Sequence, residues 1–210
     1  MKVTKYPQSC LLIEDNGRRL LIDPGSLVPM HFKAADLLPI DAILITHEHP
    51  DHADPELIKT LLAAKAVPVI ANASTKKLFP DLVTEVVSDG QDFDAAGWKI
   101  QARELPHCLM VDGTPGPQNT GYVIEGVLFH PGDGITIENL QVDNTAVPFA
   151  GPDISPKDVF DFIKATGAKT IIPIHYDYFT ANIPVISQWI NRAMPDVKFM
   201  PLENGQSTEL

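Results

Sequence analysis

Apolar positions along this chain fall into short runs rather than long periodic stretches. Runs at Cys10–Glu14, Arg19–Asp23, Ala42–Thr46, Val67–Ala71 and Val83–Val87 read as strands. So do Trp98–Leu105, Tyr122–Glu125, Val127–His130, Asp143–Phe149 and Thr170–Ile174. Most are rich in β-branched residues and stop at Asp, Gly or Pro. Asn16-Gly17 between the first two predicts a tight hairpin, because both residues accept a positive φ. Helical patterning is confined to four segments. Pro55–Lys65 follows Asp54 as N-cap and starts on proline, and Ser74–Phe79 predicts a short helix. Pro156–Thr166 follows Ser155, carries Val159, Phe160, Phe162 and Ile163 at near-helical spacing, and stops at Gly167. Pro184–Ala193 is the last. Early hairpins followed by strand–helix alternation predict an α/β protein with a mixed sheet and helices outside it.

Composition narrows the picture. A length of 210 residues supports one domain, 1–210, with a proper core. Hydrophobic residues at 44% and charged residues at 20% fit a soluble globular chain, and 19 prolines favour loops and sharp strand ends over long helices. The formal charge of -11 repels phosphate backbones and anionic membrane surfaces, so neither nucleic acid nor membrane is expected as a partner. Two bound divalent cations would reduce that charge to about -7. No window approaches the roughly 18 apolar residues of a membrane span, and Met1 to Asp15 holds no apolar leader core. Cys10 and Cys108, the two cysteines, read as reduced thiols, and the expected location is the cytoplasm. The expected partner is a small-molecule substrate, and a homo-oligomer stays open.

The candidate chemistry lies in the histidines. Of His31, His47, His49, His52, His107, His130 and His175, three fall within six residues, with Asp51 among them. The run Ala42–Thr46 leads straight into this loop, and strand ends are where a rigid scaffold places reactive groups. His47 and His49, two apart, converge from one side of an extended segment, while Asp51 and His52 turn away from them. Such a loop offers two ligand sets to adjacent ions, with imidazole and carboxylate donors suited to zinc and its neighbours. A polar surface loop would not need so many clustered imidazoles.

The run His47-Glu48-His49-Pro50-Asp51-His52 resembles the His-x-His-x-Asp-His motif of the metallo-β-lactamase superfamily. Later motifs follow in order: His107 in Leu105-Pro106-His107, Asp133 in His130-Pro131-Gly132-Asp133, and His175 in Ile172-Pro173-Ile174-His175-Tyr176. Leu21-Ile22-Asp23-Pro24-Gly25 resembles the strand and turn that precede the motif. The resemblance implies a four-layer αββα sandwich with the site at one edge between two sheets. It implies that His47, His49 and His107 hold one ion, that Asp51, His52 and His175 hold a second, and that Asp133 bridges them. Within the superfamily, Val147-Pro148-Phe149-Ala150-Gly151-Pro152 and the segment around His175 are similar to a small branch. That branch contains L-ascorbate-6-phosphate lactonase-like proteins and predicted metal-dependent hydrolases. Those relatives often carry Gly-His near the N-terminus, where this chain has Pro7-Gln8-Ser9.

The implied cofactor is a pair of divalent ions, zinc first, with manganese, nickel or iron also suited. A bound divalent ion lowers the pKa of water from near 15.7 to roughly 7. The expected enzyme is therefore a hydrolase in which a metal-bridging hydroxide attacks an ester, lactone, amide or phosphoester, with Asp51 orienting it as the catalytic carboxylate. The alternatives are a mono-iron dioxygenase that oxidises thiols or persulfides, and a metal-binding regulator without catalysis. Glu48 and Asp23 are expected to form hydrogen bonds outside the metals. Cys108 is expected to pack, His130 to make a structural or substrate contact, and His31 to lie at the surface. Tyr176 and Tyr178 are candidates for substrate contact or packing, and Asp177 reads as a solvated charge.

Overall fold

The computed structural model describes residues 1–210. Two seven-stranded sheets pack face to face. The first runs in the order β14 (Ser207–Glu209), β1 (Lys2–Lys5), β2 (Leu11–Asp15), β3 (Arg18–Ile22), β4 (Ala42–Leu44), β5 (Val69–Ala71) and β6 (Glu85–Val86). The second runs β13 (Lys198–Phe199), β12 (Thr170–Ile174), β11 (Asn144–Pro148), β10 (Leu128–His130), β9 (Gln118–Ile124), β8 (Trp98–Pro106) and β7 (Asp92–Ala95). Each is antiparallel in one half and parallel in the other, the parallel parts being β3 to β6 and β10 to β13.

The continuous apolar runs follow from burial on both faces. Along β4, Ala42 and Leu44 enter the core between the sheets, while Ile43 and Ile45 face the outer side. Leu20, Leu21 and Ile22 of β3 divide in the same way. Outside the first sheet lie α1 (Ala34–Leu37) and α2 (Pro55–Ala64), which present Leu37, Leu57, Ile58 and Leu61 to it. Outside the second lie α4 (Pro156–Thr166) and α5 (Ile183–Ala193), which contribute Val159, Phe162, Ile163 and Ile190. The result is the expected sequence of helix, sheet, sheet and helix. A short α3 (Ala73–Leu78) follows β5.

The Asn16-Gly17 hairpin forms as expected, with φ of 49° and 76° at its two residues and Asp15 paired to Arg18. Asp54 caps α2 by accepting from the Glu56 and Leu57 amides, and Ser155 caps α4. Strands β1, β7, β13 and β14 and helix α1 have no counterpart in the hydrophobic pattern. Their sequences are polar or too short to stand out, and ladder pairing with a neighbour holds the strands. The run Val83–Val87 shrinks to the two-residue edge strand β6, although Val83 and Val87 themselves are buried. No helix is long and apolar enough to cross a membrane.

Candidate metal centre

The C-terminal ends of β3, β4, β8, β10 and β12 meet at one edge of the two sheets, and each releases its chain into the site. Here β4 continues through Ile45 and Thr46 into the histidine loop. The loop turns tightly because the His52 and Ala53 amides both donate to the His49 carbonyl. The Pro24–Gly25 turn after β3 straps it from outside, the Ser26 amide donating to Pro50 and the Asp54 amide to Pro24. A Cβ on Gly25 would lie 1.8 Å from the Asp51 carbonyl oxygen, so only glycine lets the two turns pass.

Two donor clusters result. His47, His49, His107 and Asp133 form one, and Asp51, His52 and His175 the other, with ligand atoms in each cluster within 4.8 Å of one another. Asp133 lies between them. Its Oδ1 is 3.0 Å from His52 Nε2, while its Oδ2 is 3.0 Å from His175 Nε2, 3.5 Å from His107 Nε2 and 3.9 Å from His47 Nε2. Asp51 Oδ2 lies 3.4 Å from His175 Nε2 and 3.8 Å from His52 Nε2. The seven residues singled out from the sequence therefore lie together, with the Asp133 carboxylate within 4.0 Å of imidazoles from both clusters.

The outer contacts aim these donors. Asp23, fully buried at φ 50°, accepts from the Thr46 amide (2.8 Å) and hydroxyl (2.7 Å) and from His52 Nδ1 (2.7 Å). His107 Nδ1 donates to the Cys108 carbonyl and His175 Nδ1 to the Ala150 carbonyl. With Nδ1 engaged, Nε2 of each ring is left pointing inward. Nε2 of His52, His107 and His175 and Oδ1 of Asp133 are all buried without a hydrogen-bond partner. Orphaned buried polar atoms are costly unless something binds them, and these four belong to the two neighbouring donor clusters. The imidazole and carboxylate donors fit divalent first-row ions.

The electrostatics point the same way. Burial opposes charging of His107 and His175, but the Asp133 carboxylate outweighs it and holds both at about 10. At His52 burial is likewise overcome, by Asp133 and Asp23, and its pKa is raised well above the ordinary value. Burial and neighbouring imidazoles push His47 and His49 down. Asp133 is held well below the carboxylate range: burial opposes its charge, and His175 and His52 more than compensate. Without metal, Asp133 is thus the counter-charge to protonated histidines. A cation entering the centre must expel those protons. Below about pH 10 uptake therefore releases acid, and apparent affinity climbs with pH by about tenfold per unit for each proton displaced. Calorimetry at pH 7 in two buffers of different ionisation heat measures the release. Heats independent of the buffer would contradict it.

The remaining candidates fall into place. Glu48 accepts from the Ser74 (2.5 Å) and Thr75 (3.3 Å) hydroxyls, away from the donors. His130 is structural: Nε2 donates to the Ser9 carbonyl and Nδ1 accepts from the Gly132 amide. Cys108 is buried, and His31 is exposed. Tyr176 donates to the Leu202 carbonyl, whereas Tyr178 stands at the mouth of the site.

One expectation is corrected. Asp177 is not a solvated charge. It accepts from the fully buried Lys5 ammonium (3.1 Å), the Gln8 amide (2.7 Å) and the Asn204 side chain (2.8 Å), because an ammonium inside the fold requires a partner.

Two further residues, Asn119 and Gln8, hold the site in ways that the sequence motifs do not mark. Asn119 accepts from the Asp133 amide and donates to Pro131, fixing the bridging loop. Gln8, buried at φ 65°, donates from Nε2 to Asp51 Oδ2 (2.8 Å), and its Oε1 accepts from the Asp177 and Tyr178 amides. It thus ties Asp51 to the turn after His175. Gln8→Leu keeps the shape and the backbone strain but removes that donor. Affinity for the ion held by Asp51, His52 and His175 is expected to fall about 10- to 100-fold, with the other cluster little changed. Titration against a chromophoric chelator resolves the two affinities, and equal losses in both would refute the assignment.

Two mixed sheets under outer helices, with paired His/Asp clusters at shared strand ends, define the metallo-β-lactamase fold. The model of the Beta-lactamase superfamily domain matches residues 2–175, and this chain belongs to that superfamily. Among its relatives, Protein Rv0786c of Mycobacterium tuberculosis is 30% identical over 181 residues, covering 83% of this chain and 84% of the relative. A UPF0173 metal-dependent hydrolase of Geobacillus thermodenitrificans is 25% identical over the full length of both. In structure, the chain resembles Igni18, a metallo hydrolase from Ignicoccus hospitalis, with a TM-score of 0.78 at 19% identity over 100% of this chain and 98% of the other. These relatives support the wider superfamily and the UPF0173 proteins, not the lactonase-like part of the branch.

Proposed function

We propose that this protein is a metal-dependent hydrolase of small molecules. The observation that carries the reading is the pair of facing donor clusters, with orphaned ring nitrogens and one shared carboxylate, at the floor of a solvent-open cleft. Relatives named metal-dependent hydrolases support it. His47, His49 and His107 would hold one divalent ion and Asp51, His52 and His175 the other, with Asp133 shared. Bound there, the ions would supply a hydroxide at neutral pH and polarise the oxygen of the bond under attack.

The chain's own residues do the rest. Asp51, half-exposed in the cleft while the other carboxylate is buried, holds the attacking water in line and carries its proton towards the leaving group. Gln8 fixes the Asp51 carboxylate for that task, and Asp23 fixes His52. Tyr178 offers a hydroxyl at the mouth.

The test is elemental analysis of the protein as isolated, followed by a screen of lactones, phosphodiesters and thioesters with the metal-replete protein and a His49→Ala control. Two zinc, manganese or nickel ions per chain with turnover support the reading. One iron per chain with oxygen uptake in the presence of a thiol or persulfide would replace it with an oxidoreductase. Bound metal without turnover of any kind would point to the regulator.

A further inference from the structure

The cleft above the donor clusters encloses about 340 Å³, at the small end of ligand-binding sites. Beyond the metal ligands its wall is mainly Leu27, Met110, Val111, Pro152, Tyr178 and Phe179. Val111 is 83% and Tyr178 68% exposed, so the rim is an uncovered apolar surface beside a reactive centre. No lysine or arginine lines the cleft, and the only hydroxyls are those of Ser26 and Tyr178. The depression on the far side of His107 adds Asp153, Asp158 and Asp161. Away from metal ions, sites that hold phosphate or carboxylate groups commonly do so with charge-assisted donors from arginine or lysine. An anionic substrate body would find none here, and where it reached past His107 it would meet Asp153, Asp158 and Asp161, in a chain whose net charge is already -11.

We propose that the substrate is an ester, lactone or thioester whose body is uncharged and apolar, and that charged bodies are rejected. This rests on the hydrolase reading. Water adds to the acyl carbon, the carbon–oxygen or carbon–sulfur bond breaks, and the departing alcohol or thiol takes up the proton. The reacting carbonyl lies over the clusters while the body rests on Leu27, Met110 and Val111.

The experiment compares two ligands with the same metal-seeking head, hexanohydroxamate and adipic monohydroxamate. Their tails differ only in a terminal methyl against a terminal carboxylate. Calorimetric titration of the metal-loaded protein should show at least tenfold tighter binding of the methyl-ended ligand. Val111→Lys, at an exposed rim position outside the metal ligands, should shrink that ratio several-fold by supplying a cation. Equal or tighter binding of the carboxylate-ended ligand would overturn the proposal. In parallel, 4-nitrophenyl butyrate should be cleaved with a kcat/KM at least tenfold above that for bis(4-nitrophenyl) phosphate, and the reverse order would overturn the acyl assignment. The failures separate cleanly. A tenfold binding ratio with no turnover of these esters or of any lactone, phosphodiester or thioester in the wider screen sinks the hydrolase reading and upholds the apolar body. Brisk turnover with equal binding does the opposite.

Discussion

Asp133→Ala is expected to empty the centre of both ions. One carboxylate lies within 4.0 Å of four histidines drawn from both clusters, so its loss removes a ligand from each. Losing an outer partner alone costs about 10- to 100-fold in metal affinity. Losing the shared inner ligand should exceed that at both positions, and turnover should fall to background. The variant should also weaken the chelated protein, because Asp133 balances imidazolium charge there. The sign follows from the raised values of about 10 at His107 and His175. Stability from that pairing is fully present below the unfolded histidine value of about 6.5 and is lost as pH rises towards 10. Breaking a buried pair costs about 3–5 kcal/mol. Denaturant unfolding of chelated wild-type and variant should therefore differ strongly at pH 6 and little near pH 10. A constant gap across that range would contradict the pairing.

Asp51→Asn should separate chemistry from metal binding. The amide keeps an oxygen donor beside His52 and His175 but cannot accept a proton. Turnover should drop about 100- to 1000-fold, within the range for losing a positioned acid–base group, while elemental analysis still finds most of the metal. Near-normal turnover would remove Asp51 from the catalytic role.

Four of the candidate ligands are legible in the sequence because they stand within three residues of a strand end: His47 after β4, His107 after β8, Asp133 after β10 and His175 after β12. Such positions need no knowledge of the fold to be noticed. Their assignment to two ions is what the resemblance implies, and the donors lie in two neighbouring groups. Gln8 and Asp177 were opaque for a physical reason. Their roles are defined by partners far away in the chain, Asp51 for one and Lys5 for the other. A buried lysine also looks like any surface lysine when written as a letter. The polar edge strands escaped for a related reason: ladder hydrogen bonds carry them, and those leave no hydrophobic trace.

The distribution of the ligands has a mechanical consequence. Four of the seven candidate ligands, His47, His49, Asp51 and His52, lie on the loop that leaves β4 of the first sheet, while His107, Asp133 and His175 hang from the second. Bound ions would act as a rivet through one margin of the sandwich, clamping layers that elsewhere adhere by apolar contact and a few polar links such as Arg18 to Glu125. Withdrawing them should let that margin breathe while the opposite one stays shut, so chelation loosens the molecule from a single side rather than melting it evenly.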